Sequence, residues 1–269
     1  MKQDAFNLRK AHRASIAAAL RAGALMKANL HRPKKQNAVT CHDIKLELDV
    51  RCQKIIETDL GRSFPEMAIL GEEGISGDAK ARFRWVIDPI DGTVNFSYGI
   101  PHAAVSIALQ EYQPGKKASF EDSYATISGV VYDPFCSELW TAMAAKPALL
   151  NGKPVRVSRH TELRETVVSI GFAKTSTNIS KSMPYMLRLA RRVRKIRIMG
   201  SAALGLVYVA GGRFDAYVER GLQLWDIAAG GFIAESAGGE FYRDKIRGKH
   251  SYSVVCTNGR IRSKLRAPI

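Results

Sequence analysis

Residues Trp85-Val86-Ile87-Asp88-Pro89-Ile90-Asp91-Gly92-Thr93-Val94-Asn95-Phe96 carry a run of bulky apolar side chains into two carboxylates. An apolar strand of this kind belongs in a core, yet Asp88 and Asp91 close it. Pro89 fixes φ and lacks an N–H donor, so no regular helix continues there and the chain is expected to turn. Two carboxylates three residues apart at a strand end can converge on one point. Converging carboxylates repel unless a cation or a shared proton lies between them. Gly92 permits close backbone approach and Thr93 adds a hydroxyl. Asp-Pro and Asp-Gly are also ordinary turn formers, so either dipeptide alone carries a structural reading as well as a chemical one.

Two further acidic segments have the same form. Gly71-Glu72-Glu73-Gly74 follows the apolar run Ala68-Ile69-Leu70, and Asp226 lies in Leu224-Trp225-Asp226-Ile227-Ala228-Ala229-Gly230. Glu-Glu pairs commonly decorate exposed turns, and Asp226 would also serve as a helix N-cap. If these carboxylates meet, they form a set of hard oxygen donors without adjacent His or Cys, which favours magnesium over zinc.

The elements that must position these groups follow from periodicity. Phe6, Ile16, Leu20 and Leu30 predict a first helix across the opening 30 residues. Ile44, Leu48, Cys52 and Ile55 predict a second from Asp43 to Leu60, stopped by Gly61. Strands are expected at Met67–Leu70, Trp85–Ile87, Ala104–Leu109, Ile127–Tyr132, Glu138–Ala142 and Val167–Ile170. Later, helices are expected at Met183–Val193, from Ser201, and at Trp225–Ala237. Strands at Phe214–Val218 and Ser253–Cys256 complete the pattern. Trp85 and Trp225, each ahead of an acidic segment, read as packing anchors. Two α/β halves joined near residues 150–157 and acting as one unit over 1–269 are the expected organisation.

The chain has 269 residues, 46% hydrophobic, which suffices for a large core. No apolar stretch reaches the roughly 18–20 residues of a membrane span, and the first residues do not resemble a secretory signal. Forty-one Lys and Arg against 25 Asp and Glu give a net charge of +16. Such a field attracts anions: nucleic acid, an acidic membrane surface or a phosphorylated metabolite. Cys41, Cys52, Cys136 and Cys256 form no CxxC pair and read as buried, reduced thiols of a cytoplasmic protein. His102, beside Pro101, reads as a turn or pocket-wall residue. Gly211-Gly212 and Gly238-Gly239 lack the GxGxxG pattern of dinucleotide binding.

Taken in order, Glu72-Glu73, the Asp88-to-Thr93 block and Trp225-Asp226 with Ala228-Ala229-Gly230 resemble the inositol monophosphatase family over nearly the whole chain. Val39-Thr40 with Asp43, Gly200-Ser201-Ala202-Ala203, and Glu219 seven residues ahead of Asp226 support the match. The resemblance implies an α+β fold, a layered α-β-α-β-α sandwich of the inositol monophosphatase and fructose-1,6-bisphosphatase type. It also implies a homodimer, Mg2+ as cofactor, and sensitivity to lithium. By position, Glu72, Asp88, Asp91, Asp226 and the Ile90 carbonyl look like the magnesium ligands. Glu72 and Thr93 would orient the attacking water, and Asp43 would hydrogen-bond Thr93. The Gly92 and Thr93 amides would hold the phosphate, Ala202, Glu219 and Asp226 would face the substrate hydroxyls, and Asp91 counts among the substrate-binding residues as well as the metal ligands.

Two positions depart from the family pattern: Asn37, where an Asp commonly precedes the Val-Thr pair, and Gly74, where Ser is common. Val94, rather than Lys, after Thr93 leans the expected substrate toward inositol monophosphate. Fructose 1,6-bisphosphate, histidinol phosphate and 3′-phosphoadenosine 5′-phosphate stand as alternatives. The basic run Arg188, Arg191, Arg192, Arg194, Lys195 and Arg197 supplies a different reading, an RNA- or protein-binding surface. At helical spacing these residues would point in several directions and form a solvated face.

Overall fold

A computed structural model of the chain describes residues 6–39, 44–78, 80–114, 120, 122–172 and 176–265. Asp43, Thr40 and Cys41 lie outside the described residues.

The chain opens with helix α1 (Leu8–Asn29), whose Asn7 side chain accepts from the Lys10 N–H at 3.0 Å as an N-cap. Its buried stripe, Ala11, Ser15, Ala18, Ala22 and Met26, is mostly small and lets the helix lie close to its neighbours. Strands β1 (Gln36–Val39) and β2 (Ile44–Leu46) form a small antiparallel pair, followed by α2 (Glu47–Ser63). The second helix therefore starts four residues later than its apolar spacing suggests. Its buried face is Leu48, Cys52, Ile56 and Leu60, with Ile55 only half-buried.

Next come β3 (Ala68–Gly71), β4 (Gly74–Ser76), β5 (Phe83–Asp91), the short α3 (Thr93–Ser97), β6 (Ala104–Tyr112), β7 (Tyr124–Asp133), β8 (Glu138–Met143), β9 (Leu149–Leu150) and β10 (Lys153–Pro154). These strands build one eight-stranded sheet in the order β10-β9-β8-β7-β6-β5-β3-β4. All nine residues of β5 are buried. The expected turn at Pro89 is absent: the strand runs through it to Asp91, with the register against β6 slipping between Asp88 and Asp91. A bulge at that point accommodates a proline without an N–H and turns the side chains that follow.

The second part holds β11 (Val167–Ile170), α4 (Ser176–Ala190), β12 (Lys195–Arg197), α5 (Ala202–Ala210), β13 (Ala216–Gln223), α6 (Leu224–Ser236), β14 (Glu240–Lys245), β15 (Ser251–Thr257) and α7 (Arg262–Leu265). Its five strands form a second sheet in the order β12-β11-β13-β15-β14. The basic run is therefore not a continuous helix. It crosses from the end of α4 into β12, an edge strand, and all six of its basic side chains are exposed. Strand β14 escaped the sequence reading because four of the six residues Glu240–Lys245 are charged and the strand lies at a sheet edge.

Helices α1 and α2 pack on one face of the large sheet and α5 and α6 on the other. The α5–α6 pair also contacts the five-stranded sheet, whose far side receives α4. The result is an α+β sandwich of five layers, α-β-α-β-α. A helix between two sheets has no solvent face, which explains why α5 and α6 are apolar nearly all round, with Leu204, Leu206, Val207, Ile227 and Ile233 buried. Cys52 and Cys256 are buried free thiols, whereas Cys136 is exposed. Burial pushes the Cys52 thiol up to about 12, with Asp49 adding to the rise.

Candidate active site

The acidic segments converge where the large sheet meets the α5–α6 layer. Asp88, Asp91 and Asp226 each place a carboxylate oxygen within 4.8 Å of the others. Asp88 and Asp91 come from the end of β5, and Asp226 from the first turn of α6. Burial pushes the Asp88 carboxyl well above the usual carboxylate range, and Glu72, Asp91, Asp226 and Asp49 push it further in that order. Four carboxylates thus act on Asp88, and three of the five acids, Asp88, Asp91 and Asp226, lie within 4.8 Å of one another.

Each acid is held by backbone. Glu72 follows β3, and its N–H donates to the Ile87 carbonyl at 3.1 Å, tying it beside β5. The turn after it is clamped by Gln53, whose Oε1 accepts from the Glu73 N–H at 2.9 Å. The Asp88 Oδ1 accepts from the Ile90 N–H at 3.0 Å. Asp91 accepts from the Ala202 N–H (3.2 Å), the Ala203 N–H (2.8 Å) and the Ser201 hydroxyl. These donors open α5, so the helix N-terminus stabilises the Asp91 charge. Asp226 accepts from the Gln223 N–H at 2.7 Å, which makes it the third residue of α6 and not its N-cap.

Asp49 repeats the Asp226 arrangement. It is the third residue of α2, accepts from the Leu46 N–H at 2.7 Å, and is 2% exposed. The sequence reading named Asp43, which lies outside the described residues, and did not single out Asp49. The signal was its place one turn into a helix that follows a short strand, and it was hidden by starting that helix at Asp43.

Gly92 links the acids to Thr93. Its φ of +93° is a left-handed conformation, and a Cβ there would come within 2.9 Å of the His102 carbonyl oxygen. Thr93 begins α3 and its hydroxyl donates to the Ile90 carbonyl at 2.9 Å. Asn95 donates through Nδ2 to the carbonyls of His102 (2.9 Å) and Met199 (2.8 Å), joining the two sheets' loops beside the acids. His102 is half-buried on this wall, its ring edge-on to Tyr208. Trp85 is buried in the core beneath α1 and α2, whereas half-buried Trp225 packs against the separate core around α5 and α6, and its carbonyl accepts from the Ser106 hydroxyl at 3.2 Å. Ala202 is buried. Glu219, on β13, accepts from the buried Tyr217 hydroxyl and fills the space above Gly171.

This constellation can hold hard divalent cations and, through Thr93 and nearby backbone N–H groups, position a phosphate ester. The chain is 37% identical to the inositol-1-monophosphatase of Rhizobium meliloti over 232 residues, 84% of this chain and 83% of that protein. It is 39% identical to the Nus factor SuhB of Xylella fastidiosa over 199 residues, covering 73% and 68%. The crystal structure of the extragenic suppressor protein suhB from Bartonella henselae superposes with a TM-score of 0.84 at 31% identity, covering 94% of this chain and 95% of that one. The sequence profile of the inositol monophosphatase family matches residues 7–264, and the chain belongs to that family.

Proposed function

We propose that the protein is a magnesium-dependent phosphatase that hydrolyses inositol monophosphate to inositol and phosphate. The observation that carries the proposal is the convergence of Asp88, Asp91 and Asp226 within 4.8 Å, beside Thr93. An all-carboxylate donor set fits magnesium, and the opposed charge on Asp88 is what a cation would relieve. In this reading Glu72, Asp88, Asp91, Asp226 and the Ile90 carbonyl hold the metal. Bound there, magnesium would neutralise the phosphate, acidify a water and stabilise the departing alkoxide.

The chain's own groups supply the positioning. Glu72, fixed to β5 through its N–H, would accept a proton from the attacking water. Thr93 would orient that water through its hydroxyl, and the Gly92 and Thr93 amides would hold phosphate oxygens. The close approach at Gly92 keeps a Cβ out of that space. Glu219, the Asp226 carboxylate and the Ala202 backbone meet the substrate hydroxyls. Asp49 backs the centre as a positioning carboxylate that acts on Asp88. The two halves act as one catalytic unit, in a cytoplasmic homodimer. No helix among the described residues is long and apolar enough to cross a membrane.

Phosphate release from inositol 1-phosphate, fructose 1,6-bisphosphate, histidinol phosphate and 3′-phosphoadenosine 5′-phosphate tests the substrate. Preference for inositol 1-phosphate is the expected result, and preference for another ester would replace the substrate while keeping the chemistry. A second reading rests on the six exposed basic residues from the end of α4 through β12, together with the relative named Nus factor SuhB. If that surface binds RNA, affinity falls steeply with salt; a flat, weak response removes the reading.

A further inference from the structure

Residues two apart on a strand point to one face, so Tyr217 and Glu219 of β13 project together. Tyr217 is 2% exposed and belongs to the core around α5 and α6. Its ring lies against Gly205 in the first turns of α5, where a Cβ would come within 2.6 Å of it. Glycine weakens a helix interior, and here the space it opens is filled by the tyrosine ring. The start of the same helix holds Asp91 through the Ala202 and Ala203 N–H groups. The ring is therefore wedged between β13 and the helix end that positions an acid of the centre.

A phenylalanine would fill this volume equally well, so packing alone does not call for the hydroxyl. That hydroxyl donates to Oε2 of Glu219, a half-buried carboxylate, and an ionised carboxylate only accepts. Burial pushes the Tyr217 hydroxyl well above its ordinary value, with Glu219, Asp91 and Asp226 pushing it further in that order, so it keeps the proton it donates. Glu219 meets a second restraint at Gly171, where its carboxylate takes the space a Cβ would fill. The Gly171 N–H donates to the Val218 carbonyl at 3.0 Å, which holds that glycine against β13. A glutamate side chain ordered in advance loses less rotamer freedom when it meets a ligand.

We propose that Tyr217 is a positioning residue that gives the site a preference for phosphate esters of polyols. By donating to one oxygen of Glu219, it holds that carboxylate as an acceptor for a hydroxyl on the alcohol part of the ester. An ester whose alcohol carries no further hydroxyl gains nothing from the arrangement. The inference rests on the reading, given under Proposed function, that Glu219 meets substrate hydroxyls.

Steady-state kinetics in magnesium test it, with inositol 1-phosphate and phenyl phosphate as the two esters. Tyr217→Phe removes one oxygen and keeps the ring beside Gly205. In that variant KM for inositol 1-phosphate is expected to rise at least fivefold with kcat within twofold, while kcat/KM for phenyl phosphate stays within twofold. Glu219→Ala is expected to raise KM for inositol 1-phosphate at least as much. Adding Tyr217→Phe to it should change that KM by less than twofold, because no carboxylate is left to position. If the unaltered protein does not turn over phenyl phosphate, this double variant carries the test. An unchanged KM for inositol 1-phosphate in Tyr217→Phe would overturn the inference, as would full additivity in the double variant. Equal losses on both esters would overturn it too, assigning the hydroxyl to the fold. Each of these results leaves the phosphatase reading standing. That reading fails separately if the unaltered protein releases no phosphate from inositol 1-phosphate, and the place of Glu219 in it fails if Glu219→Ala leaves KM unchanged; the inference falls with either.

Discussion

Replacing Asp88 with Asn should make the metal-free protein more stable while abolishing its response to magnesium. Like charges 4.8 Å apart, the spacing limit of Asp88, Asp91 and Asp226, repel by roughly 3–4 kcal/mol at an effective dielectric near 20. The folded protein escapes part of this by keeping a proton on Asp88, whose carboxyl is raised by burial and by Glu72, Asp91, Asp226 and Asp49. Because the folded state then binds more protons than the unfolded chain, stability falls as pH rises from about 4 toward the raised value. Asn removes the charge and keeps the oxygen that accepts from the Ile90 N–H. The variant should therefore gain on the order of 1–3 kcal/mol at pH 8 without metal, and little at pH 5. At about 2–4 °C per kcal/mol for a chain of this size, that is a rise of several degrees in Tm. Magnesium at 100 times its Kd should stabilise the unaltered protein by about 2.7 kcal/mol and leave the variant unmoved. Scanning calorimetry at both pH values, with EDTA or magnesium, reads all four quantities. A metal-free variant melting below the unaltered protein at pH 8, or one gaining the same Tm from magnesium, would refute the reasoning.

Three further outcomes follow from the same site. Gly92→Ala should cost about 1–3 kcal/mol in denaturant unfolding, since φ is +93° and the Cβ would meet the His102 carbonyl oxygen at 2.9 Å; unchanged stability would show that the turn relaxes freely. Asn95→Ala strands the His102 and Met199 carbonyls and should lose about 1–3 kcal/mol along with much of kcat, because it unties α3 from the segment leading into α5. Full activity in that variant would show the tie to be dispensable. In Gly171→Ala the new Cβ would fall 1.6 Å from a Glu219 carboxylate oxygen, forcing that side chain away. A raised KM with a smaller change in kcat is expected, and an unchanged KM would remove Glu219 from substrate recognition.

The strongest parts of this structure were legible because they rest on local pattern. The apolar run ending at Asp88 is a buried strand, and the motif around it placed Asp91, Gly92 and Thr93 together. Apolar stretches at Ala104–Leu109 and Ile127–Tyr132 became central strands for the same reason. Pro89 misled, since its cost in a strand vanishes at a bulge where no N–H is wanted. Asp49 was invisible because Ile44 and Leu48 share a helical spacing, although Ile44–Leu46 pairs as a strand and moves the helix start to Glu47. The basic run was read at one period although the chain changes from helix to edge strand within it.

The central claim is metal-dependent hydrolysis of a phosphate ester at the Asp88–Asp91–Asp226 centre. Its most direct test is phosphate release from inositol 1-phosphate by the unaltered protein and by Asp91→Asn, each with magnesium and with EDTA. Turnover confined to the unaltered protein in magnesium, with Asp91→Asn folded by circular dichroism, is the predicted result. Turnover that persists in EDTA, or near-normal activity in Asp91→Asn, would contradict the account.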